Sequence, residues 1–309
     1  MNFTHLYAFF AVAKAGSVSA GADYMKVSQP AVTREIKELE QRVGSQLFDR
    51  LPRGVVLTEA GSLLMRYATQ IFGLADSAEL ELRELAGLSA GHLDLGASAT
   101  VGVYLVPQFL AEFHAQYPSV SVGLSVTNSQ AVQSAVCMSE IGLGFIEGSF
   151  DATKLDSLSL GYDEIIAVTN KGTPSRGEQM LPADIVAGRT ILREKGSGVR
   201  EAVDDAYARL GLSIEPIVSV SNTEAIKRLL RSTPGSISFL SRMSVGDELS
   251  AGVFEEVSLQ HLKIERRLNL IWLKRRSLSR GATLFRALVV AASKPHLWLL
   301  DPATSQANR

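Results

Sequence analysis

The spacing of apolar residues near the start of the chain predicts two short helices. The first carries its apolar side chains at helical intervals, at Leu6, Phe9, Phe10 and Ala13. Gly16 ends this helix, and Ser17 or Ser19 can cap a second one that continues to Met25. The first 25 residues therefore predict two helices separated by a break, and a tight turn follows the second helix.

A third predicted helix has one apolar face and one polar face. Ser28 can cap it, and Pro30 lies in its first turn, where a missing N–H costs nothing. Its apolar stripe consists of Val32, Ile36, Leu39 and Val43. The other face carries groups that suit phosphates and base edges, namely Gln29, Thr33, Arg34, Lys37 and Gln41. A solvated face explains such residues when they occur alone, but the short helix and turn before them are typical of a DNA recognition helix.

A basic loop and a β-branched run follow the third helix. Arg50 and Arg53 lie on either side of Pro52, and the chain then continues as GVVLT. This pattern predicts a wing. Seven basic and five acidic residues leave a net charge of +2 over residues 1–58, so the placement of the basic groups matters more than their total.

A long helix is predicted from Thr58 to about Leu88. Thr58 can cap it, although Gly61 stands where a capping box would have Glu. Its apolar seam alternates steps of three and four at Leu64, Tyr67, Ile71, Leu74 and Ala78, until Glu81 interrupts it before Leu85. The seam predicts pairing with a second copy of the helix. Packing on its own domain is the alternative, but that domain is too small to cover thirty residues.

From Gly91 onward, short apolar strands alternate with helices. This alternation predicts an α/β domain with a largely parallel sheet and helices on both faces. Two sets of strands suggest two lobes joined by crossovers near Tyr162 and Arg267. We therefore expect a DNA-binding domain at 1–58, a linker helix at 59–90, lobe I at 91–162 and 267–300, lobe II at 163–266, and a tail at 301–309.

Composition fits a folded chain of two or three domains. Hydrophobic residues make up 46% of the 309 residues, charged residues 20%, and the net charge is -1. The start MNFTHLYAFF lacks the basic region of a secretory signal, and the apolar run Phe285–Ala292 is too short to span a bilayer. The expected location is the cytoplasm, with no membrane segment. The five scattered histidines and single Cys137 predict no metal site, no disulfide and no cofactor.

Three strand-to-helix junctions are candidates for a ligand site. Ser98 and Thr100 follow one predicted strand, Ser129 begins the helix after another, and Ser197 lies between Gly196 and Gly198 before a third helix. Backbone N–H groups and the helix dipole at such junctions attract anions. Each hydroxyl taken alone is more simply a helix cap. In a two-lobed fold, however, the three junctions would face one cleft.

The stretch SVSAGADYMKVSQPAVTREIKELEQRVGSQLFDRLPRGVVLTEAG resembles the N-terminal signature of the LysR family of transcriptional regulators. Three positions depart from the usual pattern: Gly21, where Ala is common, Met25 for Leu, and Thr33 for Ser. Glycine in a helix costs about 1 kcal/mol relative to alanine, so the second helix is expected to be slightly loosened. Further along, LREKGSGVRE, VSNTEAIKRLL and FLSR resemble the family's effector domain, while Gly142 and STPGSIS depart from it.

The resemblance implies a winged helix-turn-helix, an antiparallel dimer contact through the linker helix, and a domain like periplasmic binding proteins with its ligand between two lobes. The expected DNA-binding residues are Ser28, Gln29, Pro30, Thr33, Arg34, Lys37, Arg50 and Arg53. The expected effector-binding residues are Ser98, Ala99, Thr100, Ser129, Gln130, Gly196, Ser197, Asn222 and Thr223. Leu64, Tyr67, Ile71 and Leu74 are expected to hold the dimer.

The predicted function is regulation of transcription from double-stranded promoter DNA by a homodimer or tetramer, with RNA polymerase as a further partner. A small anion or organic acid is the expected effector. An enzyme is the first rival, but no nucleophile with a base, metal cluster or cofactor motif supports it. Gly142, Gly144 and Gly148 have the wrong spacing for a dinucleotide site. A transport-type binding protein is the second rival, and the N-terminal DNA module opposes it. The basic run from Lys274 to Arg280 is interpreted as solvated charge at a strand end, with DNA or partner contact as the alternative.

Overall fold

The computed structural model describes residues 2–51, 54–85, 91–171 and 180–293. The chain forms two compact units, the first at residues 1–82 with 138–140 and the second at 83–137 with 141–309. The elements of the first unit are α1 (Phe3–Ala15), α2 (Val18–Met25), α3 (Gln29–Val43), β1 (Phe48–Arg50), β2 (Val55–Leu57) and the helix α4 (Glu59–Leu85) that leaves it.

The predicted starts and ends of the first three helices are confirmed. Gly16 ends α1 in a left-handed conformation with φ of 71°, and Ser17, rather than Ser19, caps α2 by accepting from the Ala20 N–H at 3.2 Å. Ser28 occupies the N-cap position of α3 without a side-chain hydrogen bond, and Pro30 lies in the first turn. Val32, Ile36 and Leu39 of α3 pack against α1 and α2 in a single core, whereas Val43, the fourth residue of the predicted stripe, is exposed.

Gly21 lies where α1 and α2 approach closely. A Cβ atom there would be 2.5 Å from Val12 Cγ2 and 2.9 Å from Val12 Cα. Glycine at this position weakens the helix propensity of α2, as expected, but it allows α1 and α2 to approach more closely than a side chain would permit.

The cap of α4 also depends on a glycine. Thr58 Oγ1 accepts from the Gly61 N–H at 3.0 Å, which confirms the expected cap. A Cβ on Gly61 would be 2.1 Å from the Leu47 carbonyl oxygen. The close approach explains why glycine stands where a capping box would have Glu. The described part of α4 ends at Leu85, so the expected end near Leu88 lies outside the described residues.

The second unit is a nine-stranded sheet with helices packed against it. Its strands are β3 (His92–Ser98), β4 (Ser121–Thr127), β5 (Leu143–Glu147), β6 (Leu155–Asn170), β7 (Arg189–Arg193), β8 (Val218–Val220), β9 (Ser236–Ser241), β10 (Phe254–Val257) and β11 (Ile264–Leu273). Its helices are α5 (Ala99–Tyr104), α6 (Val106–Gln116), α7 (Ser129–Cys137), α8 (Pro182–Val186), α9 (Gly198–Arg209), α10 (Thr223–Ser232), α11 (Arg242–Ser250) and α12 (Arg280–Ser293).

The sheet is mixed rather than largely parallel. Its order is β4-β3-β5-β11-β6-β9-β7-β8, with β10 also pairing with β6. The ladders β3/β4, β3/β5, β7/β8 and β7/β9 are parallel, whereas β6 and β11 pair antiparallel with each other and with their other neighbours. The alternating strands and helices predicted the parallel ladders. They did not predict the antiparallel ladders, which form because the long strands β6 and β11 run in opposite directions through both lobes.

The ladder between β6 and β11 contains the residues at which we placed the lobe boundary, since Tyr162 pairs with Arg267. Immediately beyond that pair the register shifts between Leu268 and Asn269, opposite Gly161, which has φ of 115°. A bulge that contains a glycine gives a local bend in the strand pair. Apolar cores lie on either side of it, one around Phe145 and Phe285 and another around Tyr207 and Phe239.

None of the described helices combines the length and apolar character needed to cross a bilayer. In the same part of the chain no three His, Cys, Asp or Glu side chains come together as metal ligands would.

Candidate functional site: a recognition helix and an interlobe cluster

The polar face of α3 is open to solvent. Ser28, Gln29, Pro30, Arg34 and Lys37 are exposed, and Thr33 is half-buried. The Thr33 hydroxyl donates to the Gln29 carbonyl oxygen at 2.9 Å, which leaves its lone pairs free to accept from a base or a water. Five of these six predicted DNA-binding residues are thus accessible, and they extend from the N-cap of α3 to its ninth residue.

The two basic residues of this face differ in their partners. Arg34 Nε donates to Glu38 Oε1 at 2.9 Å, and Arg34 is 75% exposed. An exposed ion pair of this kind contributes only about 0–1 kcal/mol, so DNA can replace Glu38 at small cost. Lys37 has no ion-pair partner in the described part of the chain. His5 Nε2 lies 3.2 Å from both Glu35 and Glu38, which ties α1 to the acidic side of α3.

The strands β1 and β2 form the expected wing. The Val55 N–H donates to the Gly16 carbonyl oxygen at 2.9 Å, so the hairpin is fixed to the turn between α1 and α2. Gly54 has φ of 93° and its Cβ position would lie 2.5 Å from the same oxygen, which requires glycine there. Arg50 ends β1, and Arg53 lies outside the described residues.

The four residues predicted to hold a dimer fall on two sides of α4. Leu64 and Ile71 are half-buried against the core of the first unit. Tyr67 and Leu74 are 57% and 50% exposed. The outward stripe of α4 is instead formed by Leu63, Tyr67, Leu74, Ala78 and Leu82. The sequence pattern thus placed Tyr67 and Leu74 on the exposed stripe, whereas α4 uses Leu64 and Ile71 within its own unit. The dimer contact stays a prediction.

The three strand-to-helix junctions do come together in the second unit. Ser98, Thr100, Ser129 and Ser197 are all buried. The Gln130 N–H donates to the Gly196 carbonyl oxygen at 3.4 Å across the two lobes. A Cβ on Gly198 would lie 3.1 Å from Ser129 Oγ and 3.2 Å from Arg266 Nη1, so the start of α9 meets the start of α7.

The group at the centre of these junctions is Glu147, the last residue of β5. Its carboxylate is 2% exposed and accepts from Ser129 Oγ at 2.8 Å and from the Val101 N–H at 3.3 Å. Burial alone would raise the pKa of Glu147, but the Arg266 guanidinium and these hydrogen bonds outweigh it and hold the pKa below its usual value. The cluster therefore keeps a fully buried carboxylate ionised.

Arg266 of β11 connects this carboxylate to a second one. Its Nη2 atom lies 2.7 Å from Asp163 Oδ2, 3.0 Å from Thr100 Oγ1 and 3.6 Å from Glu147 Oε1. Burial raises the pKa of Asp163, against the lowering effects of the guanidinium and of the Ser241 hydroxyl that donates to it at 2.7 Å. One guanidinium thus serves two carboxyl groups that water does not reach.

Sequence reasoning missed Glu147, Asp163 and Arg266. A signal for Arg266 exists in its strand, where side chains alternate between faces. Arg266 shares its face with Ile264 and Leu268, both buried, while Glu265 and Arg267 are exposed. A charged residue in phase with buried apolar residues predicts a buried charge that needs a partner.

The remaining predicted effector residues lie at other contacts. Ala99 begins α5 and is half-buried. Asn222 caps α10 by accepting from the Ala225 N–H at 3.0 Å, and Thr223 Oγ1 accepts from Arg193 Nη1 at 3.1 Å. Arg193 also binds Glu194 and the Ser221 carbonyl oxygen, so Thr223 belongs to a polar group that joins β7, β8 and α10.

A cavity of about 480 Å³ lies between α7 and α9, beside the Glu147 cluster. Ser129, Gln130 and Gly196 line it together with the buried guanidinium of Arg200. Cavities of this size accept small molecules.

Comparisons with known proteins agree for both units. Residues 3–62 match the bacterial regulatory helix-turn-helix protein, lysR family, and residues 86–294 match the LysR substrate binding domain. The HTH-type transcriptional regulator YeiE of Escherichia coli (strain K12) is 33% identical over 285 residues, or 92% of this chain and 96% of that protein.

Solved structures of this fold include CbnR, described as a LysR family transcriptional regulator. CbnR has a TM-score of 0.67 and 21% identity, with coverage of 95% of this chain and 100% of that chain. The Synechocystis PCC6803 CcmR regulatory domain, solved in complex with 2-PG, has a TM-score of 0.61 and 25% identity, with coverage of 66% and 98%. The first likeness supports the fold alone. With the two domain matches and the relative at 33% identity, the chain belongs to the LysR family of DNA-binding transcriptional regulators with an effector-binding domain, and it is a regulator rather than an enzyme.

Proposed function

We propose that the chain regulates a promoter as a homodimer, with α3 and the wing on DNA and a small anion or organic acid as the effector between the lobes. Two-fold pairing of DNA-binding units matches the symmetry of paired half-sites. RNA polymerase as a further partner is part of the same proposal.

The observation that carries the effector class is the meeting of two helix N-termini beside the cavity. The start of α9 meets the start of α7, and Ser129 and Gly196 line the cavity with the buried guanidinium of Arg200. Backbone N–H groups in the first turn of a helix have no acceptor within the helix, so they suit an anionic ligand. The complex of the CcmR regulatory domain with 2-PG supports a small-molecule site in this domain type.

Thermal melting of the full chain against inorganic oxyanions and organic acids tests the effector class. A ligand at a hundred times its dissociation constant stabilises the folded state by about 2.7 kcal/mol. Thr100→Ala and Ser197→Ala are the matched variants, because both residues lie at the junctions, and each should weaken the ligand that stabilises the wild type. Equal stabilisation of wild type and both variants would place the site elsewhere, and binding of uncharged compounds alone would exclude an anion.

DNA binding is tested with Arg34→Ala at fixed salt. If Arg34 contacts a guanine edge, the loss is about 1 to 3 kcal/mol and specificity relaxes at one base pair. An equal loss on all sequences would reassign Arg34 to a phosphate. Unchanged binding would contradict the placement of α3 as the recognition helix.

A further inference from the structure

Arg34 of α3 is bound along one edge of its guanidinium only. Its Nε atom donates to Glu38 Oε1 at 2.9 Å, whereas its Nη1 and Nη2 atoms have no partner among the described residues. The guanidinium is planar, and its two Nη groups form a fork that can pair with the O6 and N7 atoms of guanine. Glu38 therefore holds Arg34 without occupying this fork.

Glu38 is itself held from α1. Its second oxygen, Oε2, lies 3.2 Å from His5 Nε2, and the same nitrogen lies 3.2 Å from Glu35 Oε2. An ionised carboxylate only accepts, so His5 must carry a hydrogen on Nε2 to bind either one. The His5 side chain is 12% exposed, and its backbone N–H donates to the cap Asn2 at 2.8 Å. His5 is therefore a fixed support for the carboxylate.

The contacts from His5 to Glu38 and from Glu38 to Arg34 bear on how Arg34 meets DNA. Arg34 is 75% exposed, so packing does not restrict its direction. An arginine that is free to turn on a DNA-facing helix can bind phosphates, which are present in every sequence. An arginine whose direction is already set loses less freedom when its fork pairs with a base edge. The contact with Glu38 therefore favours base contact over phosphate contact.

We propose that Glu38 and His5 are positioning residues for base recognition: Glu38 sets the direction of the Arg34 guanidinium, and His5 fixes Glu38. The inference rests on the proposed function, because it concerns how Arg34 reads a guanine edge. The Glu38 charge also repels phosphates, so the arrangement increases discrimination between base pairs rather than total affinity.

The test uses the full chain and a duplex that the wild type selects from a library of random sequence. Affinity is measured at fixed salt for this duplex and for one exchanged at the base pair where Arg34→Ala loses discrimination. Glu38→Ala should lower discrimination at that base pair by about two- to tenfold, which corresponds to the freedom of one flexible side chain. In the Arg34→Ala background, Glu38→Ala should leave discrimination unchanged, since there is no guanidinium to direct.

Two variants of His5 test its donor group. His5→Leu removes the donor, keeps an apolar side chain of similar size, and should lower discrimination by about twofold. His5→Gln keeps a side-chain N–H and should restore wild-type discrimination. Asp23→Ala is the control, because Asp23 is an exposed acidic residue on α2 without a side-chain partner among the described residues. It removes the same charge from the first unit and should leave discrimination unchanged.

Wild-type discrimination in Glu38→Ala would overturn the inference and leave the proposed function in place. The same conclusion would follow if Glu38→Ala lowered discrimination equally with and without Arg34. Equal losses from His5→Leu and His5→Gln, or no loss from His5→Leu, would overturn the role of His5. A loss from Arg34→Ala that is the same on all sequences would also overturn the inference, because Arg34 would then contact phosphate. A wild type that selects no sequence would overturn the proposed function as well.

Discussion

Arg266 is a single guanidinium between the carboxyl groups of Glu147 and Asp163, and all three side chains are buried. Desolvation makes such a group costly to assemble, and removal of one member leaves the others without compensation. The Glu147 carboxylate takes its remaining hydrogen bonds from α5 and α7, so the cluster couples both junctions to β11.

Arg266→Met should lower the free energy of unfolding of the second unit by about 3 to 5 kcal/mol at pH 7. Without the guanidinium, the pKa values of both carboxyl groups in the folded state rise above their unfolded values. The resulting penalty is absent below the unfolded pKa values and grows as pH increases, so the deficit relative to wild type should shrink towards pH 4. Urea unfolding at pH 4.5 and pH 7 measures this difference.

Arg267→Met is the matched control for Arg266→Met. Arg267 is the exposed neighbour that donates to the Tyr162 hydroxyl at 2.8 Å. Its replacement should cost no more than about 1 kcal/mol at either pH. A loss for Arg266→Met that is equal at both pH values would show that the cluster contributes packing rather than charge.

Gly21→Ala tests the close packing of α1 against α2. Helix propensity alone predicts that Gly21→Ala stabilises α2 by up to about 1 kcal/mol. The added methyl would meet Val12 at 2.5 Å, and overpacking costs about 1 to 3 kcal/mol, so we expect net destabilisation. Gly246→Ala in α11 is the control, because its Cβ would meet nothing within 4 Å and should be stabilising. A thermal melt that shifts upwards for both variants would contradict the close approach of α1 and α2.

Among the elements, α4 shows that the period of an apolar seam does not say which of its residues pack within the same unit. Steps of three and four residues predicted the helix and its apolar seam, but they could not say which part of the seam the first unit uses. Leu64 and Ile71 pack against a core that includes Phe10 and Phe48. Only the folded unit defines the stripe that is left for a partner.

Leu74→Asp is therefore the sharper test of dimerisation by α4. Leu74 is 50% exposed, so a carboxylate there is solvated in a monomer and buried in a helix pair. We expect sedimentation to show a monomer at micromolar concentration, with far-ultraviolet circular dichroism unchanged. Ile71→Asp would also disturb the core of its own unit and cannot separate folding from assembly. A Leu74→Asp protein that remains dimeric would place the main interface outside α4.

Local signals accounted for most elements of this chain, while the site depended on contacts between distant segments. Gly16 ends α1, Ser17 caps α2 and Pro30 lies in the first turn of α3, each as its chemistry favours. The strands follow apolar runs. By contrast, Glu147 and Arg266 are 119 positions apart, and their pairing follows from a mixed sheet whose order sequence reasoning did not predict. The junction hydroxyls could be predicted because each is marked by the strand before it and the helix after it. The Glu147 carboxylate could not, because its role depends on contacts with distant segments.

The whole molecule has a net charge of -1, so its attraction to DNA cannot come from overall charge. It must come from a local basic face presented to the phosphates. Lys37 is suited to this role, because it is exposed on α3 and has no ion-pair partner among the described residues. A homodimer would present two such faces, and the salt dependence of binding reports how many of them contact DNA.

Lys37→Gln should weaken binding to all DNA sequences alike and reduce the dependence of affinity on salt. Each phosphate contact contributes about 0.9 to the slope of log affinity against log salt concentration. A dimer with both recognition helices on DNA loses two contacts, so the slope should fall by about 1.8, whereas a monomer would lose about 0.9. Lys171→Gln, an exposed change at the end of β6, should leave the slope unchanged. A constant slope for Lys37→Gln would remove Lys37 from the phosphate contacts, and a fall of about 0.9 would mean that a single copy of α3 contacts DNA and would contradict paired recognition helices.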